Sequence, residues 1–362
     1  IPFNCKKMKR LIIIFLIIFN QCSKSDDYSN SIESIAPEIN LYIAGYINDE
    51  TGNTIACYWQ NGKRFDLGEG ELTDITVSQG KVYTTGYSFG GGASYWIDDT
   101  LYELEGNDAE AYSIDVYNGD VYIAGRNNGA CYWKNGNKTK LSGGDSSAYG
   151  IAVKENGDIF AAGYYVNNHH FIIPAAWKNG KRVNLSVPKH GDGEVKAIKI
   201  YNGSPYYFGM TMKPNNTVGY VPKACYWEGG RRTDLTNGGG FNQSIYGGEG
   251  NGGCVSEGNI YVTGIIDHIA NGGDNGEIVE GSGGTYAHYW VNGDKVDLEG
   301  GQWNNMWVSN AYDIAVSDDI VIVSGDVATN MQTQVPAVWV NNDLTLLEGN
   351  NTHGIANAVF ID

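Results

Sequence analysis

Basic residues are scarce in this 362-residue chain, where 24 Lys and Arg stand against 41 Asp and Glu for a formal charge of −17. That balance argues against a nucleic-acid partner, since phosphate binding needs clustered cations. Histidine and cysteine number 6 each, and none falls at a zinc-ligand spacing. One unbroken apolar run occurs, residues 11–19, and it is too short to span a bilayer. No nucleophile elbow, P-loop or dinucleotide fingerprint is present either. What the chain has in abundance is glycine and large aromatics: 50 Gly, 25 Tyr and 9 Trp, within 42% hydrophobic residues. That much apolar surface offsets chain entropy and excludes a disordered polymer. Glycine together with aromatics points to many short strands joined by tight turns, an all-β fold.

Residues 1–21 divide into a short upstream stretch, a start at Met8, the basic pair Lys9 and Arg10, and the apolar run. This is the pattern of a signal peptide. Cys22 follows, with Ser23, Lys24, Asp26 and Asp27 close behind, and no small-x-small cleavage site intervenes. The segment resembles the leader of bacterial lipoproteins, most of all those of Bacteroidota, with Phe19 and Gln21 standing where Leu and a small residue are usual. The resemblance implies export, acylation of Cys22 and display on the outer membrane or cell surface. Residues 22–40, rich in Ser, Asn, Asp and Glu, read as a flexible tether, leaving 41–362 as the folded domain.

The domain is repetitive. A β-rich phrase closes in Gly45, Gly86, Gly125, Gly163, Gly209, Gly264 and Gly325, and each is followed by a tryptophan: Trp59, Trp96, Trp133, Trp177, Trp227, Trp290 and Trp339. Eight residues after every one of these stands a leucine: Leu67, Leu104, Leu141, Leu185, Leu235, Leu298 and Leu347. Between Trp and Leu lies a turn pair such as Asn61-Gly62 or Asn135-Gly136, the chemistry of a two-residue hairpin. With a further β phrase ahead of each glycine, every unit holds four strands, which we letter a to d from the axis outward. Trp-to-Trp distances of 37 to 63 residues fit a β-propeller blade. Seven units predict seven blades. Residues 356–361 match a first strand with no unit after it, and the first unit lacks one, so the C-terminal strand is expected to close the ring.

The b–c and d–a connections vary in length while the others stay short, which concentrates insertions on one face. Candidate ligand-binding residues on it are His169, Phe171, Phe241, His268, Trp303 and Trp307, with Tyr112, Tyr149 and Tyr312 at the mouth of a central channel. Trp303 and Trp307 read first as packing of their own loop against the rim and second as ligand contacts, since large aromatics are usually buried. The seven repeat tryptophans are core, because burying about 150–250 Å² apiece favours folding by up to ~4–6 kcal/mol each. Cys57, Cys131 and Cys225, each two residues before a repeat Trp, read as small buried hydrophobes, with Cys254 a neighbour that Cys225 can approach. His169 and His170, on a strand, would point in opposite directions and make no metal clamp. Asp274 and Glu277 form a weak calcium candidate without EF-hand spacing. Asp145, Asp192, Glu194, Glu249 and Asp267 lie near the variable face, where a glycosidase pair would have to sit.

The Trp-Lys-Asn-Gly phrase at Trp133 and Trp177 resembles secreted bacterial repeat proteins and implies a propeller without implying an activity. The signatures of WD40 units and the sialidase Asp-box are absent. The reading is a monomeric, non-catalytic, lipid-anchored propeller that needs no cofactor and binds a glycan or an envelope or extracellular protein through its variable face. Two others stand beside it: a secreted polysaccharide-acting hydrolase or lyase with its site in the propeller funnel, and a structural module of an envelope assembly.

Overall fold

A computed structural model describes residues 39–90, 92–106, 108–188, 192–215, 219–236, 245–268, 284–300, 302–303, 306–330, 333–349 and 352–362. Among these no helix occurs. The chain is a β-propeller in architecture: small antiparallel sheets whose first strands all face one axial cavity. Units 3 to 7 each form a separate four-stranded sheet in the order a-b-c-d. Units 1 and 2 share a seven-stranded sheet, because the strand Lys63–Ser78 runs unbroken from the outer position of one to the inner position of the other. The strand Gly354–Ile361 pairs antiparallel with Leu41–Asn48, Leu41 opposite Ile361 and Ile47 opposite Gly354.

The turn pairs behave as their residues dictate. Asn61 and Gly62 both take positive φ, as do Asn135 with Gly136, Asn179 with Gly180 and Asn292 with Gly293. In the pair Asp98-Asp99 only Asp98 does so. The first turn residue has a second task, since its side-chain oxygen accepts the backbone N–H that opens strand b. Leu41, Val82, Val121, Ile159, Ile260 and Val321 donate to Asn61, Asp98, Asn135, Asn179, Asn292 and Asn341 at 2.8–3.0 Å. Unit 5 has Gly229 at that turn and can offer no acceptor. Its strand b carries Pro205 at the matching position, which has no N–H to satisfy.

Each repeat tryptophan is at most 2% exposed. Its leucine partner is not the one on its own hairpin. Leu104 packs with Trp133, Leu141 with Trp177, Leu185 with Trp227 and Leu298 with Trp339, so every Leu seals the face between its unit and the next. Leu347 of unit 7 packs with Trp59 of unit 1 in the same manner. Cys57, Cys131 and Cys225 are buried free thiols, and Cys254 is free and partly buried.

Candidate functional site

The repeat glycines prepare the channel. A Cβ on Gly86 would stand 1.9 Å from the Glu71 carbonyl oxygen, and one on Gly325 1.9 Å from that of Asn310. Only glycine lets strand a come so close to strand b, and just past that approach strand a slips by one residue. The skipped residue of each β-bulge is Thr73, Tyr112, Tyr149, Lys196, Asn251, Tyr312 or Asn357. A bulge leaves its extra residue out of the ladder and re-aims its side chain. All seven line one cavity of about 700 Å³ on the axis.

Some of these residues stitch neighbouring inner strands together. Thr73 Oγ1 donates to the Ala111 carbonyl at 3.0 Å, Asn251 Nδ2 to that of Ala311 at 2.9 Å, and Asn357 Nδ2 to that of Leu72 at 2.8 Å. The aspartates beneath them work in the opposite sense. Asp74 accepts the Ile114 N–H at 2.9 Å, Asp115 that of Val153 at 2.6 Å, and Asp313 that of Val359 at 3.3 Å.

The remaining bulge residues build a collar at the mouth, together with the residue after each glycine. Tyr312 donates to Asp326 at 2.7 Å, and Asp326 also accepts from Asn310 at 3.1 Å. Tyr87 donates to Glu71 at 2.5 Å, Tyr112 to Glu110, and Tyr164 to Asp145 at 3.3 Å. The rings of Tyr112 and Tyr149 meet edge to face at 5.0 Å, and Tyr164 leans on Tyr149 at 5.7 Å. Lys196 lays its ammonium 4.8 Å over the Tyr149 ring while pairing with Glu194 at 2.6 Å. Burial pushes the Asp326 carboxyl up to about 6 against its hydrogen bonds, and raises the hydroxyls of Tyr112, Tyr149 and Tyr312 above the ordinary tyrosine value.

Below the collar the channel holds one cation among three carboxylates: Lys199 with Asp74, Asp115 and Asp313. Burial pulls the Lys199 ammonium down, and Asp313 and Asp74 more than reverse that, holding it above the usual lysine value. Burial raises Asp115 and Asp313 to about 6 each, and raises Asp74 as well. Among the described residues no group of three His, Cys, Asp or Glu side chains is arranged to hold a metal ion.

Tyr112, Tyr149 and Tyr312 therefore stand together at the mouth. His169 and His170 correct the strand expected for them: they lie in a turn, His170 at φ 62°, because the Asn167 side chain gathers the N–H groups of His169 and Phe171 at 2.8 and 3.1 Å. Neither they nor Phe171 line the channel. His268 ends the strand Asn259–His268, opposite Ile245 and Gly284. Trp303 and Trp307 belong to a two-stranded hairpin, Trp303 opposite Met306 and Gln302 opposite Trp307. Cys22, Phe241, Asp274 and Glu277 lie outside the described residues. Asp145 and Glu194 join the collar, whereas Asp192 accepts the Ile172 N–H at 2.6 Å.

Sequence reasoning missed Lys196, Lys199, Asp74, Asp115, Asp313 and Asp326. A signal for Asp74, Asp115, Lys199 and Asp313 exists. Charged residues flank the buried isoleucine of strand a at Ile75, Ile114, Ile198 and Ile314, and alternation turns those flanks toward the axis.

No family model and no curated protein matches the chain. Among solved structures it is similar to the WD40 β-propeller domain of Doa1, at 13% identity and TM-score 0.40, covering 79% of this chain and 90% of that one. A thermostable family-43 glycoside hydrolase aligns at 14% identity and TM-score 0.36, with 76% and 92% covered. Hydrazine synthase of Kuenenia stuttgartiensis aligns at 12% identity and TM-score 0.46, with 92% and 48% covered. Likenesses this distant carry nothing about activity; the propeller architecture rests on the chain's own strand order and axial cavity.

Proposed function

We propose that the chain is a seven-bladed propeller, closed by Gly354–Ile361 on Leu41–Asn48, that works as a non-catalytic binding module with its ligand, a glycan or a protein segment, at the channel mouth. The packing of Leu347 on Trp59 and the bond from Asn357 to Leu72 support the closed ring. One observation carries the binding reading: tyrosine rings and carboxylates converge at the mouth on the face from which the variable b–c and d–a loops emerge. Tyrosines so fixed offer apolar ring faces at low entropy cost, and the carboxylates beside them accept from hydroxyl or amide donors. Glu71, Glu110 and Asp326 are already engaged by tyrosine hydroxyls, which suits groups that hold a ligand in place.

The test is a binding scan of residues 23–362 against soluble and insoluble glycans and envelope protein fractions. Tyr149→Ala is expected to weaken any saturable binding at least about tenfold while the protein keeps a cooperative unfolding transition. Binding that Tyr149→Ala and Tyr312→Ala both leave intact would remove the mouth from consideration. Read with its lipoprotein-like leader, the module is held at the outer surface by acylated Cys22. Cys22→Ser is then expected to move the protein from the membrane fraction to the soluble one, and unchanged fractionation refutes the anchor.

A further inference from the structure

A second concavity lies away from the axis, between the outer strands of units 2 and 3, and has a volume of about 670 Å³. Its lining includes Glu103 and Asp108 from unit 2 and Asn127, Asn128, Trp133 and Asn137 from unit 3. The repeat gives an internal standard for what its tryptophan should do. In units 1, 5 and 7 the indole N–H donates to the carbonyl one residue past the neighbouring unit's leucine. Trp59 reaches Glu348 at 2.9 Å, Trp227 reaches Ser186 at 2.8 Å, and Trp339 reaches Glu299. The matching carbonyl for Trp133 is that of Glu105.

In unit 3 a different donor holds that carbonyl. Asn127 Nδ2 donates to it at 2.8 Å, drawn in against Gly106, where a Cβ would collide with the amide at 2.0 Å. The Trp133 indole N–H is buried and has no hydrogen-bond partner. An unpaired buried donor costs about 1–3 kcal/mol, so unit 3 has given up, at a cost in stability, a bond that units 1, 5 and 7 make. Unit 3 also has the shortest link from repeat glycine to tryptophan, 8 residues from Gly125 to Trp133, so little b–c loop is available to cover the groove.

We infer that this groove is a second ligand site, separate from the channel mouth, that takes a neutral sugar residue whose hydroxyl oxygen accepts the Trp133 N–H. The lining fits a polyol better than an ion. The carboxylates of Glu103 and Asp108 accept hydroxyl protons, and the exposed amides of Asn128 and Asn137 both donate and accept. A sugar presents both functions on every hydroxyl. An anion would face Glu103, Glu105 and Asp108 with Lys138 alone in support, and an ammonium would leave the indole donor unpaired.

The test follows the indole N–H directly. The protein has nine tryptophans, and the Trp133 signal in a proton–nitrogen correlation spectrum is assigned by its loss in Trp133→Phe. Glucose, galactose, mannose and N-acetylglucosamine are then titrated in turn. One of them is expected to shift the Trp133 signal saturably, and Asn128→Ala with Asp108→Ala, both at exposed positions, to weaken that response at least about tenfold. Tyr149→Ala should leave it unchanged, so failure at the mouth and failure in the groove are read separately. A Trp133 signal that ignores every sugar, or responds equally in the groove variant, overturns the proposal.

Discussion

Deletion of residues 354–362 is expected to leave a chain without a cooperative unfolding transition. The lost strand lies along Leu41 to Ile47 and supplies Ala356 and Val359 to the cluster around Trp59, and Ala358 to the one around Trp96. It also provides the N–H that Asp313 accepts and the amide that caps Leu72. Stripping the ladder from one side of Leu41–Asn48 and uncovering Leu41, Ile43 and Trp59 forfeits at least about 5 kcal/mol, on the scale of the entire stability of a domain. Circular dichroism on heating checks this, and a synthetic peptide of the deleted residues should restore the transition. A truncated chain that melts like the parent would show that the strand is dispensable, and the closed ring with it.

Lys199→Met is expected to destabilise the domain by about 1–3 kcal/mol near pH 8, because it removes the cation that three carboxylates of the channel face, and by much less near pH 5. The sign follows from the neighbours. Asp115 and Asp313 have folded-state values of about 6, above the ordinary carboxylate value. A carboxyl with a raised folded value contributes stability that is whole below its unfolded value and is lost as pH rises through about 6. Lys199 offsets that loss, since its own charge persists throughout this window. Without it the carboxylates face one another alone, and the deficit grows between about pH 5 and pH 8. Asp313→Asn keeps an oxygen for the Val359 N–H while removing one charge, so the double variant should recover part of the deficit near pH 8. Urea denaturation at the two pH values measures both. An equal cost at both would mean that Lys199 acts through packing rather than charge.

The repeat was legible because its determinants are local. A type of turn, a tryptophan and a leucine eight residues on are all read within one hairpin, and the four-strand units follow from them. The partner of each leucine was not legible, since Leu104 meets Trp133 across a boundary that only the assembled sheets define. The tyrosines of the mouth were found from their place at the start of strand a. Lys199 and its aspartates were not, because they are brought together by strands far apart in the chain, and alternation tells which way a side chain points without telling what waits across the axis. His169 and His170 were misplaced on a strand for a different reason: a single asparagine side chain, Asn167, outweighed the extended pattern around it.

The strand Leu41–Asn48 is the second in its sheet, with Gly354–Ile361 on one side and Thr54–Gln60 on the other, both antiparallel to it. Tension entering through residue 40 therefore runs along Leu41–Asn48 and loads two hydrogen-bond ladders in shear. An edge strand pulled outward would give way one bond after another. Here many bonds on two flanks share the load and must yield together, so a pull applied at residue 40 meets the mechanically better-defended end of the domain.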